Sequence, residues 1–207
     1  MTKLLYVAAS PRGDESTSGN VAQEFLTAYR QANPDHEIDT FDLWAEPLPP
    51  YAREGVDAKM SIFGGGAPSG AEVEAWNKVL AVFERFNAAD RYLFSIPMWN
   101  ASIPYVLKHF IDIITQPGLT FSFTPEGGYS PLLTGKKAAV VYTAGVQPQD
   151  DPRFGSDFQI PYFQDWLQTT GITDISNIEF RPTIMTADPD GAREAANALA
   201  RETAANF

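Results

Sequence analysis

Apolar residues along this chain fall into short continuous runs that alternate with longer stretches of helical period. Lys3–Ala9, Tyr92–Ile96 and Lys137–Tyr142 read KLLYVAA, YLFSI and KAAVVY, the length and side-chain content of strands buried on both faces. Glu37–Asp42 alternates as an edge strand does, and Ile175–Phe180 supplies a fifth strand. Between them, Val21, Ala22, Phe25, Leu26 and Tyr29 mark a helix from Gly19 to about Ala32. Val73, Trp76, Val79, Leu80, Val82 and Phe83 mark a second over 71–86. Val106, Leu107, Phe110, Ile111 and Ile114 mark a third, entered through Ser102 or Ile103 as N-cap with Pro104 at the first helical position. Helices over 158–170 and 189–204 complete the alternation, the last capped by Asp188 ahead of Pro189.

Strands alternating with helices predict an α/β fold: a doubly wound, five-stranded parallel sheet with helices on both faces, formed by one domain over 1–207. Three segments interrupt the alternation. Residues 43–70, with Pro47, Pro49, Pro50, Pro68 and Gly64-Gly65-Gly66, read as a long excursion with little regular structure. Thr120–Phe123 with Gly127-Gly128 reads as a small hairpin, and polar residues 147–157 as a second loop.

In such sheets ligands sit beyond the carboxyl ends of the strands, so the loops leaving that edge matter most. The first, Ser10–Ser18, carries Ser10, Ser16, Thr17 and Ser18 into a helix N-terminus. One cap needs one hydroxyl. Four hydroxyls beside backbone N–H groups that carry partial positive charge suit a phosphate dianion without a lysine. Neither G-x-x-x-x-G-K-[ST] nor G-x-G-x-x-G follows the first strand, which sets aside P-loop and dinucleotide-fingerprint enzymes. The second loop, Pro97–Ser102, offers a thioether, an indole and an amide. The third, Thr143–Val146, offers backbone around Gly145. If one ligand spans these loops, the strand order is 2-1-3-4-5. A flat heteroaromatic ring with carbonyl and imide edges, tethered to a phosphate, fits the three together; FMN has that shape.

These blocks also resemble a known family. Ser10 with Ser16-Thr17-Ser18, Pro97-Met-Trp-Asn-Ala-Ser-Ile-Pro-x-x-Leu-Lys, Pro117-Gly-Leu-Thr-Phe and Thr134-Gly-Lys-Lys-Ala are similar to those of the FMN-dependent NADH azoreductases. That family lies in the flavodoxin-like NAD(P)H:quinone oxidoreductase superfamily, and the resemblance spans essentially the whole chain. It implies an FMN-binding homodimer with active sites at the interface, passing two electrons from NADH or NADPH to quinones and azo compounds in ping-pong fashion. Carried over by position, Ser10, Ser16, Thr17 and Ser18 hold the phosphate, with Arg12 adding a charge beside it. Pro97, Met98, Trp99, Asn100 and Ala101 border the ring, and Thr143, Ala144, Gly145 and Val146 reach its pyrimidine side. Trp99 stands where relatives often have Tyr, and Thr143-Ala-Gly-Val where they often have Ser-Arg-Gly-Gly. No catalytic side chain is implied, because the flavin carries the hydride. Phe121 and Phe123 are the aromatic pair expected at the mouth of the site as substrate contacts.

Composition narrows the alternatives. A formal charge of −11 argues against nucleic acid and anionic membranes as partners. The absence of cysteine removes thiolate chemistry, and with two histidines no zinc site is expected. His36 reads as surface and His109 as half-buried scaffold. No signal peptide or membrane-length apolar run stands out, so a cytoplasmic protein is expected. The rival readings are a flavodoxin-type electron carrier without turnover of its own, a hydrolase, for which no nucleophile–base pair is present, and a flavin-free regulatory module.

Overall fold

The computed structural model describes residues 1–146 and 152–207. In chain order the elements are β1 (Lys3–Ala8), α1 (Thr17–Ala32), β2 (Glu37–Asp42), α2 (Arg53–Phe63), α3 (Ala71–Asn87), β3 (Arg91–Pro97) and α4 (Tyr105–Ile114). Then follow β4 (Phe121–Thr124), β5 (Gly128–Pro131), β6 (Lys137–Thr143), α5 (Ile160–Thr170), β7 (Asp174–Phe180) and α6 (Pro189–Ala205). The main sheet runs β2-β1-β3-β6-β7 with every pairing parallel. This is the expected 2-1-3-4-5 order, with the β4–β5 hairpin inserted between its third and fourth strands.

Both faces of the sheet are covered, which is why its inner strands read as unbroken apolar runs. Leu5, Val7, Tyr92, Phe94, Val140 and Tyr142 point into one core, against Phe83, Phe86, Phe110, Phe163 and Trp166. Leu4, Tyr6, Leu93, Ala139 and Val141 point into the other, against Val21, Phe25, Tyr29, Ala196 and Ala200 of α1 and α6. Asp188 caps α6 as expected, its side chain accepting from Gly191 N–H.

Two expectations need correction. The 43–70 excursion holds a regular helix, α2, so the fold has six α-helices among the described residues rather than five. The prolines and the Gly64-Gly65-Gly66 run flank α2 instead of entering it; the eleven residues of Arg53–Phe63 contain no proline and one glycine, Gly55. Gly55 lets the helix lie on the Tyr51 ring, because a Cβ there would sit 3.0 Å from that ring. The second correction is at α4, whose N-cap is Pro104 itself. Ser102 is otherwise engaged: Trp99 N–H donates to its carbonyl at 2.8 Å, and its own N–H donates to the Trp99 carbonyl at 3.0 Å. That closes a two-residue turn in which Asn100 and Ala101 both have positive φ, 48° and 68°. Asn tolerates this region; Ala does not, at a cost of about 1–2 kcal/mol. Of the polar 147–157 loop, residues 147–151 lie outside the described residues.

Candidate active site

The loop after β1 folds back as one short turn of 3₁₀ helix, Gly13–Glu15, before α1 begins at Thr17. Ser16 is the N-cap, its buried hydroxyl accepting from Gly19 N–H at 3.0 Å while its carbonyl takes the first intrahelical bond, from Asn20. Gly19 permits that approach, since a Cβ there would meet Ser16 Cβ at 3.0 Å. The two hydroxyls of Ser16 and Ser18 stand 3.3 Å apart, and both buried residues line the cleft formed with the loops after β3 and β6. The capping and phosphate readings are therefore compatible. Ser16 serves Gly19, and the amides of Thr17 and Ser18 at the positive end of α1 find no acceptor among the described residues.

Beyond β3 and β6 the second and third loops face this helix start. Met98 N–H donates to the Thr143 carbonyl at 2.7 Å, which ties the loops side by side. Thr183 and Ile184, just past β7, donate their N–H groups to the Ala144 and Gly145 carbonyls at 2.8 and 3.2 Å. The result is a cleft of about 210 Å³. Its walls are Ser10, Arg12, Ser16, Thr17 and Ser18 at one end, and Pro97, Met98, Trp99, Thr143, Ala144 and Gly145 at the other. A second cleft of about 420 Å³ continues from it, sharing Arg12, Thr17, Thr183 and Ile184. Together they fall in the range of roughly 300–1,000 Å³ usual for ligand sites. Arg12 is largely exposed and paired to Glu15 at 3.3 Å, an ion pair that solvent weakens.

Eleven of the fourteen residues expected at the cofactor thus share one cleft. Asn100, Ala101 and Val146 do not line it. Asn100 faces a neighbouring apolar cleft of about 570 Å³, together with Tyr51, Ile103, Tyr105, His109 and Tyr162. Burial pushes the Tyr162 phenol up to about 12, so it stays protonated there. Trp99 is the wall between the two clefts, its indole packed against Trp44 and Tyr105 at ring separations of 5.8 and 6.3 Å. Phe121 and Phe123 are not brought to either cleft. They sit on β4, where Phe121 packs on Tyr129 and Phe123 on Tyr129 and Phe63 of α2.

Pro11, Thr183 and Ile184 line the cleft without having been singled out in the sequence. The signal for the last two was topological: the β7–α6 connection leaves the same sheet edge as the other three loops. Among the described residues no group of three or more His, Asp or Glu could hold a metal ion, and no helix is long and apolar enough to cross a membrane.

A parallel sheet in this order, with a hydroxyl-lined helix start facing two strand-end loops, defines the flavodoxin-like class of α/β nucleotide-binding proteins. A family model described as flavodoxin-like fold matches residues 2–204, and the chain belongs to that family. Its relatives include an FMN-dependent NADH:quinone oxidoreductase of Ruegeria pomeroyi, 46% identical over 206 residues, covering 99% of this chain and 100% of the relative. A protein of the same name from Desulfotalea psychrophila is 47% identical over 184 residues, covering 89% of this chain and 87% of the relative. Among solved structures, an azoreductase from Bacillus anthracis superposes with a TM-score of 0.92 at 26% identity over the full length of both chains.

Proposed function

We propose that this chain is an FMN-dependent oxidoreductase that takes electrons from NADH and delivers them to quinones, with azo compounds as further acceptors. The observation that carries the reading is the single cleft with phosphate donors at one end and the Met98–Trp99 and Thr143–Gly145 backbone at the other. The names of these relatives support it.

Ser10, the hydroxyls of Thr17 and Ser18 and the α1 amides hold the phosphate, with Arg12 offsetting its charge. Met98, Trp99 and the Thr143–Gly145 segment border the ring, and Ile184 covers Gly145, its Cδ1 only 3.3 Å from where a Cβ would stand. Held by these residues, FMN would supply the hydride-transfer chemistry between nicotinamide and acceptor. The protein's part would be to fix the ring between these loops and to orient donor and acceptor in turn beside it. Ser10–Ser18 is anchored to a helix and the two ring loops to each other, so little reorganisation accompanies binding.

The chain acts as a homodimer of single-domain subunits in the cytoplasm. On α2, Val56, Met60 and Phe63 are exposed at helical spacing, and Phe63 stacks on exposed Phe123 at 5.7 Å. This stripe, continued by Tyr129, is the apolar face a second copy would cover, and through it Phe121 and Phe123 would come near a substrate.

The purified protein should show a flavin absorption spectrum that bleaches on anaerobic NADH and returns with a quinone. A protein that takes up no flavin after soaking in FMN, or whose flavin ignores NADH, would overturn the proposal.

A further inference from the structure

Residues 157–159 reach both sides of the ring end of the cleft without lining it. Phe158 N–H donates to the Ala101 carbonyl at 2.8 Å, holding the positive-φ turn from behind. The Ser102 hydroxyl donates to the Phe158 carbonyl at 3.5 Å. One residue on, Gln159 is fully buried and its Nε2 donates to the Ile96 carbonyl at 2.9 Å and, at 3.5 Å, to the Thr143 carbonyl. These carbonyls belong to the ends of β3 and β6, the two strands whose loops flank the ring. Its Oε1 accepts from Arg181 Nη1 at 3.3 Å, and the same nitrogen donates to Asp157 Oδ2 at 2.7 Å. Asp157 Oδ1 in turn accepts the Gln159 N–H at 2.8 Å and the Ile160 N–H at 3.3 Å, which fixes the start of α5. Arg181, its side chain inaccessible, leads into Thr183 and Ile184, whose amides hold Ala144 and Gly145.

Burying an amide and an ion pair costs stability that an apolar side chain of similar volume would not. What the polar set supplies is direction: its hydrogen bonds meet at the ends of three strands and the start of one helix. We infer that Gln159, oriented by Asp157 and Arg181, is a positioning residue that sets the spacing of the Met98–Ala101 turn from the Thr143–Gly145 loop. It thereby sets the seat of the flavin ring toward the nicotinamide. The inference rests on the proposed function.

The test compares Gln159→Leu and Gln159→Glu with wild type, as full chains loaded with FMN. Glu keeps the volume and the acceptor for Arg181 while removing the donor to both carbonyls, so it reports even if Leu disturbs folding. Four quantities are read: the visible spectrum, the midpoint potential of the bound flavin, kcat with NADH, and the ratio of the dissociation constants for riboflavin and FMN. Both variants should shift the spectrum and the potential and lower kcat about ten-fold or more, as small misplacements do. The riboflavin-to-FMN ratio, which reports the phosphate end, should stay at its wild-type value. Wild-type spectrum, potential and kcat in both variants, with only the melting temperature lowered, would overturn the inference. A collapse of the ratio would overturn it as well. Failure of the proposed function is distinguishable, because the wild-type chain itself would then take up no FMN.

Discussion

At one end of the cleft every polar group comes from a single stretch, Ser10–Ser18; at the other, the groups come from the ends of β3, β6 and β7 and the start of α5, far apart in the chain. The phosphate end is a local structure. Its geometry follows from a helix start, a serine cap and a glycine that lets the cap approach, and α1 carries it whole. The ring end exists only once the sheet has formed, since Met98, Thr143 and Thr183 meet through hydrogen bonds across neighbouring strands. A phosphate needs charge complementarity, which a helix terminus supplies wherever it lies. A reacting ring needs placement, which only a rigid frame of several elements supplies.

The comparison breaks most visibly at Gly145. A valine there must enter the space against Ile184 Cδ1 and the ring. Overpacking of that kind costs about 1–3 kcal/mol, so Gly145→Val should weaken FMN and riboflavin alike, by about ten- to hundred-fold. Fluorescence titration with both ligands checks this; a loss confined to FMN would mean that the two ends are not separate.

Ser16→Ala probes the opposite end with a somewhat smaller effect. It removes the α1 cap, worth about 0.5–2 kcal/mol in stability, and loosens the helix start that meets the phosphate. FMN affinity should fall about ten-fold, the equivalent of one hydrogen bond to a charged group, while riboflavin affinity barely changes. The same titration, run beside a thermal melt, decides it.

The smallest effect on the cleft should come from the far side of the sheet. There Arg85 of α3 grips Asp39 of β2 at 2.8 and 3.1 Å and lies 4.0 Å over the Phe41 ring. Hydrogen bonding to Arg85 holds the Asp39 carboxyl below its ordinary value, against the opposing effect of partial burial. An acid with a depressed folded pKa contributes stability above its unfolded value of about 3.9, and that contribution disappears as the pH falls through the folded value. Denaturant unfolding should therefore show stability falling below about pH 4, and Asp39→Asn should flatten that slope. The riboflavin-to-FMN ratio should be the same in Asp39→Asn as in wild type; a change would tie the β2 edge to the site.

The five strands are legible in the sequence alone, because each is written in local period; their order followed only on the premise that one ligand spans three loops, and the family came from the resemblance of its motif blocks, not from composition. Lys3–Ala9 and Lys137–Tyr142 read as buried strands since their neighbours on both faces are apolar whatever the details. The helix α2 is not legible from the excursion's overall proline and glycine content, because these residues act position by position: the prolines and the Gly64–Gly66 run stand outside Arg53–Phe63, which holds the single glycine Gly55. Pro104 as cap, and the placement of Gln159, Thr183 and Ile184 at the strand ends, were decided by tertiary structure. The Trp99–Ser102 turn occupies the serine that looked like a cap, and a buried glutamine in a helical period looks like any other polar residue until two strand-end carbonyls are found facing it. Hydrogen bonds between residues separated by 16 to 63 positions leave no periodic trace in the chain. They arise from the parallel crossovers that bring the carboxyl ends of β3, β6 and β7 to one edge, where the proposed seat of the ring lies.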